Sequence, residues 1–120
     1  MRIIGCDLHA RQQTLAMLDT ETGEVVSLTL MHDGNNVRKF YFQLPRPVLV
    51  GIEATGSTHW FLNLMEEREV ECRVGHPATI RAAEPRKQKN DRRDADLILK
   101  LLVENRFPAI WLPSKERLDL

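Results

Sequence analysis

The chain has only two cysteines in 120 residues, Cys6 and Cys72, with no Cys-x-x-Cys pair, and its four histidines are scattered. This excludes a disulfide-stapled scaffold and offers no zinc-ligand spacing. Both thiols fall inside apolar, strand-like runs, which fits free cysteines in a reducing, cytoplasmic setting. No apolar stretch approaches the about 20 residues of a membrane span and the amino terminus carries no apolar signal region, so no membrane partner is expected. Net charge is lacking too: 17 Lys and Arg balance 17 Asp and Glu. No global basic field therefore announces a nucleic acid. Repeats and low-complexity tracts are absent. What remains is one domain's length of ordinary globular composition, enough for a real core.

Periodicity supplies the elements. Arg2-Ile3-Ile4-Gly5-Cys6-Asp7-Leu8 reads as a buried strand with an acid where the apolar run gives out. His9-Ala10-Arg11 is a short polar turn. Gln12–Asp19 and Val25–Met31 alternate as strands around the loop at 20–24, where Gly23 can take positive φ. Three successive strands with short connections make an antiparallel meander. Val37, Phe40, Tyr41 and Leu44 mark one helical face, closed by Pro45 and Pro47. Residues 48–52 are apolar without alternation, as in a central strand covered on both faces. Trp60, Phe61, Leu64 and Met65 form the apolar side of a helix that Ser57 can N-cap. Residues 69–74 alternate as another strand.

Pro77 opens a short helix through Ala83, and a basic loop follows. Residues 91–105 form the longest helix, with Ala95, Ile98, Leu101 and Leu102 inward. Residues 107–113 read as an extended connector and 114–118 as a further helix beginning. The expected organisation is one domain over 1–106, then a connector and the start of a truncated helix over 107–120, in a fragment of a longer polypeptide. The order predicts an α/β fold. A mixed five-stranded sheet carries its antiparallel three-strand meander first, helices pack on it, and crossovers are right-handed. That is the element order of the ribonuclease H-like fold.

Four carboxylates stand out. Asp7 ends the first strand, where burial would demand a cationic partner or water. Glu53 ends the central strand, just before a tight turn at Gly56; in open sheets, sites form beyond the carboxyl ends of parallel strands. Asp91 and Asp94 open the long helix three residues apart. That spacing resembles a capping box and suits the helix dipole. It also sets both acids on one face, within reach of one ion. Each acid alone has an ordinary structural explanation. Acids from separate elements are nonetheless what a hard cation requires, magnesium first and manganese as the alternative. Phosphodiester chemistry commonly uses two such ions about 3.5–4 Å apart. Residues 81–93 hold Arg81, Arg86, Lys87, Lys89, Arg92 and Arg93 against Glu84 and Asp91. This segment suits a phosphate backbone, or plain solvation. Ser57 is a poor nucleophile candidate, since capping explains it and no His lies at a telling offset.

Gly5-Cys6-Asp7-Leu8-His9, Gly51-Ile52-Glu53-Ala54-Thr55-Gly56 and Lys89-Asn90-Asp91-Arg92-Arg93-Asp94-Ala95 together resemble the amino-terminal RuvC-like domain of the DEDD-type insertion-sequence transposases. These are the "one-ten" insertion-sequence family, akin to the Piv-type DNA invertases. The strand–Asp motif is common, Glu-Ala-Thr-Gly is more selective and Lys-x-Asp-x-x-Asp-Ala is specific; the resemblance runs over nearly the whole chain. It implies a recombinase domain acting on DNA phosphodiesters in excision and insertion of a mobile element, with Asp7, Glu53, Asp91 and Asp94 as the metal-binding catalytic tetrad. It implies donor and target DNA, a structured guide RNA and a homo-oligomer with composite active sites. It also implies a second, carboxyl-terminal domain bearing a serine that links to DNA, which these residues do not supply. Ser27, Ser57 and Ser114 all fall at structural positions, so no covalent DNA adduct is expected from this segment alone.

Two other functions compete: a stand-alone RuvC-like nuclease of the Holliday-junction resolvase type, and a non-catalytic RNA- and DNA-binding and dimerisation module whose acids are helix caps. An actin-like kinase fold also begins with a strand and an Asp. It needs a Gly-Thr phosphate loop where Leu8-His9-Ala10 stands.

Overall fold

The computed structural model describes residues 1–54, 58–83 and 91–110, with Arg81, Ala83, Asp91, Arg92 and Arg93 in backbone only. Strands β1 (Arg2–Leu8), β2 (Gln12–Asp19) and β3 (Val25–Met31) form the meander. Helix α1 (Asn36–Gln43) leads to β4 (Val48–Glu53), and α2 (Thr58–Glu67) leads to β5 (Glu71–Gly75); α3 (Pro77–Ala83) and α4 (Asp91–Val103) follow. The sheet order is β3-β2-β1-β4-β5, with β4 parallel to β1 and β5 parallel to β4. The expected five-stranded mixed sheet is therefore present.

Strand alternation sorts the side chains into two layers. Ile4, Cys6, Leu8, Leu15, Val50, Ile52 and Val74 lie on one face. Val37, Tyr41 and Leu44 from the α1 region and Phe61, Leu64 and Met65 from α2 cover them and complete the main core. The opposite face is built in rows set by the register. Ala16, Gly5 and Gly51 form a row with almost no side chain, and α4 lies in that trough. A Cβ on Gly5 would overlap the Ala95 carbonyl oxygen and come within 2.5 Å of the Leu99 nitrogen. The next row toward the amino ends of β1 and β4, Leu18, Ile3 and Leu49, packs against Leu99, Ile98 and Leu102. Because Ala95 meets Gly5 while Leu99 reaches Ile3 and Leu18, α4 runs antiparallel to β1. Its first turn therefore lies at the carboxyl ends of β1 and β4. Ile80 and Phe107 pack on Leu97 and Leu101 along the flank of α4.

Two boundaries and one core assignment differ from the sequence reading. The alternation over 69–74 predicts a strand from residue 69, yet β5 starts at Glu71. Glu69 takes φ 57° and closes α2: its N–H donates to Glu66 O at 3.1 Å, and Val70 N–H donates to Met65 O at 2.9 Å. This is a helix-ending motif usually built on glycine, with Val70 buried as its apolar contact. Helix α4 stops at Val103 rather than 105 for the same reason. Asn105 takes φ 56°, and Arg106 N–H donates to Leu101 O at 2.8 Å. Trp60 is not a core residue; it is 38% exposed and packs edge-on against His32, ring centroids 4.9 Å apart. Phe61, Leu64 and Met65 carry the buried stripe instead.

The turn at 55–57 with its Ser57 cap, the basic loop at 84–90, and residues 111–120, which include the expected helix at 114–118, lie outside the described residues. Residues 107–110 run back along β5, where Ile110 N–H donates to Val74 O at 2.8 Å. Among the described residues no helix is long and apolar enough to cross a membrane.

Candidate functional site

One further row on the α4 side crosses the carboxyl ends of β1, β3, β4 and β5 and the amino end of β2: Thr29, Thr14, Asp7, Glu53 and Gly75. Thr14 is the cross-strand partner of Asp7. The parallel register pairs Cys6 with Ile52, so Asp7 and Glu53 follow side by side on strands whose backbones lie about 4.8 Å apart. Alternation turns both toward the face that Gly5 and Gly51 present to α4.

Asp7 is only 5% exposed, a costly place for a carboxylate unless it is met by a donor. His9 meets it, with Nε2 2.9 Å from Asp7 Oδ2. The sequence reading treated residues 9–11 as a plain polar turn. The available signal was the two-residue spacing, which returns a side chain to the same side of an extended segment. Glu53 is partly buried at the last position of β4. Asp94 is partly buried in the first turn of α4, and Asp91 opens that helix with its side chain outside the described set.

Among the described residues, no three His, Cys, Asp or Glu side chains come together closely enough to hold a metal ion. The structure thus gathers Asp7, Glu53 and the start of α4 at one end of one face without closing a ligand cluster from the described side chains. The donor chemistry, carboxylate oxygens with no thiolate in the row, fits a hard divalent cation rather than zinc or copper. Of the expected phosphate-facing residues, Arg81 belongs to α3 and Arg92 and Arg93 to the first turn of α4, all in backbone only. Arg86, Lys87 and Lys89 lie outside the described residues.

A buried polar chain holds the segment that leaves Asp7, and the sequence reading missed it. Tyr41 Oη donates to Gln13 Oε1 at 2.8 Å, and Cys6 Sγ donates to the same oxygen at 3.6 Å. Gln13 Nε2 lies 3.2 Å from His32 Nε2, and His32 Nδ1 lies 3.2 Å from Ala10 O. A carbonyl oxygen only accepts, so Nδ1 carries the proton and Nε2 accepts from the Gln13 amide. Every donor in the chain then points one way, from Tyr41 to the Ala10 carbonyl. His32 N–H also donates to Arg11 O at 2.8 Å, and His9 N–H to Gln12 O at 2.9 Å. Burial pushes the Cys6 thiol and the Tyr41 hydroxyl well up from their ordinary values, which keeps both as donors. The sequence signal for this network was a lone amide, Gln13, on the apolar face that Leu15 shares.

No curated protein matches the chain. Among solved structures, T. thermophilus RuvC in complex with a Holliday junction substrate superposes with a TM-score of 0.61 at 10% identity, over 92% of this chain and 99% of that one. A second Thermus thermophilus RuvC structure gives 0.57 at 11% identity, over 92% and 100%. At such identities the likeness shows the fold, which is RuvC-like and ribonuclease H-like. A model of the DEDD transposases of IS110 type, described as "Transposase", matches residues 4–120. With nearly its whole length matched, the chain belongs to the IS110 family of DEDD transposases.

Proposed function

We propose that this transposase domain uses Asp7, Glu53, Asp91 and Asp94 to hold magnesium, replaceable by manganese, and acts on DNA phosphodiesters in the excision and insertion of an insertion sequence. One observation carries this reading. Asp7 and Glu53 stand side by side at the ends of adjacent parallel strands, on the face crossed by the helix that opens with Asp91 and Asp94. When bound, a pair of such cations stabilises the attacking and leaving oxygens of a displaced phosphodiester.

The chain's own contribution is rigidity. Two hydrogen-bonded strands fix Asp7 and Glu53, Gly5 lets the α4 backbone press onto the sheet, and His9 holds one Asp7 oxygen. The likeness to a RuvC that binds a Holliday junction supports DNA as partner. Family membership supports a structured guide RNA and further copies of the chain as the others. Calorimetric titration of the chain with magnesium chloride tests the metal assignment. Wild type should bind and Asp7→Asn should lose binding while its circular dichroism stays unchanged; equal binding by both would overturn it.

A second reading, a junction-cleaving nuclease complete in one domain, is favoured by the superposition covering 99% of a RuvC chain. Metal-dependent cleavage of branched DNA by residues 1–120 alone would select it.

A further inference from the structure

Among the described residues, β3 is an edge of the sheet, paired only with β2. Natural edge strands are usually blunted by Lys, Pro, a bulge or a covering element. The sequence of β3, VVSLTLM, carries no charge and no Pro, and its register with β2 is unbroken from Val25 to Met31, so it has no bulge. Val25 is 53% exposed and Met31 45%.

The register identifies the outward-facing backbone groups. His32 N–H donates to Arg11 O and Asp19 N–H to Glu24 O, so the even-numbered residues of this stretch bond to β2. The N–H and C=O groups of Val25, Ser27, Thr29 and Met31 therefore point away from the sheet. Those four positions set a strict condition on any partner strand, because outward residues must meet outward residues. A second β3, antiparallel about a two-fold axis at Leu28, satisfies it. Val25 then pairs with the partner's Met31 and Ser27 with the partner's Thr29, giving about eight main-chain hydrogen bonds. A shift of one residue would aim outward groups at groups already bonded to β2.

The side chains agree with that register. Val26 meets Leu30 and Leu28 meets itself, so the apolar strip of Leu28 and Leu30, already packed on the main core, continues across the junction. Hydroxyl meets hydroxyl on the other face.

We propose that the chain forms a two-fold dimer through antiparallel pairing of β3 with the β3 of a second copy, joining the two sheets into one. Such an axis keeps both α4 faces on the same side. Thr29 belongs to the row of Asp7 and Glu53, so the two carboxylate rows lie on one surface, roughly 25 Å or five strand spacings apart. This last consequence rests on the metal reading; the dimer does not.

Sedimentation velocity on the full 120-residue chain tests the interface. Wild type should sediment at twice the chain mass of 13.9 kDa at concentrations up to hundreds of micromolar. Ser27→Pro removes an outward N–H that β2 does not use, a change an edge strand tolerates, and should leave a folded monomer. Thr29→Lys places an edge-blunting charge on the same line and should do the same; it decides the matter if Ser27→Pro fails to fold. Leu28→Cys, at the two-fold axis, should give a disulfide-linked dimer on mild oxidation. A wild-type monomer throughout would assign the edge to another segment or partner and overturn the proposal. So would a dimer that persists in both Ser27→Pro and Thr29→Lys.

Discussion

At the scale of single residues, side chains set close to the sheet decide what stays protonated and what stays in place. Glu69 holds a left-handed backbone conformation that costs a residue with a Cβ about 1 kcal/mol. Glu69→Gly should therefore stabilise the protein by about 0.5–1 kcal/mol, read as a higher urea midpoint with an unchanged slope. A loss of stability would mean that the Glu69 side chain makes a compensating contact. The two thiols give a second check. Burial pushes Cys6 well up and brings Cys72 to about 12. A raised thiol pKa shrinks the reactive thiolate fraction at pH 8. Both cysteines should react slowly with a thiol-disulfide reagent in the native protein and rapidly in urea. Fast native labelling of Cys6 would contradict its burial. The strand-end positions of Asp7 and Glu53 were legible in the sequence because an acid ending an apolar strand is conspicuous. His9 and Gln13 were not, because their partners are chosen by the turn at 9–11 and by helix α1, which one-dimensional periodicity does not place.

At the scale of elements, helix α4 brings its first turn toward the strand ends that carry Asp7 and Glu53, and small residues beneath it set its height. Gly5→Ala forces a methyl into the Ala95 carbonyl and the Leu99 backbone. Backbone cannot rotate aside, so the cost should be about 3 kcal/mol, a fall in Tm of roughly 10 °C. Gly51→Ala meets chiefly the Leu102 side chain, 2.7 Å from the added carbon, which can shift, and should cost less. Equal Tm losses for the two would mean that α4 does not rest on Gly5. The strands and helices themselves were readable, since alternation and the three-to-four spacing report burial directly. Their ends were less so: the left-handed residues Glu69 and Asn105 closed two helices where the apolar pattern ran on. The basic segment at 81–93 is an element of the sequence whose role rests on its charge. If it meets a phosphate backbone, Lys87→Ala with Lys89→Ala should lower the salt dependence of DNA binding by about 0.7–0.9 per lost contact. An unchanged slope would mark a solvated loop.

At the scale of the whole molecule, the order of elements predicted the sheet because a meander and two right-handed crossovers leave few ways to arrange five strands. β1 sits in the middle, between antiparallel β2 and parallel β4, and that placement sets Asp7 beside Glu53. The sequence could nominate four acids, but the direction in which α4 crosses the sheet decides which strand ends its first turn approaches. That direction follows from the Gly5 contact and from no motif. The central claim is that Asp7, Glu53 and the first turn of α4 bound one cation site, and it is tested most directly by a crystal of the chain grown or soaked with manganese. An anomalous difference peak between the Asp7 and Glu53 carboxylates, beneath Asp91 and Asp94, is the result predicted here. A manganese peak elsewhere, with Asp7 still held by His9, would contradict it.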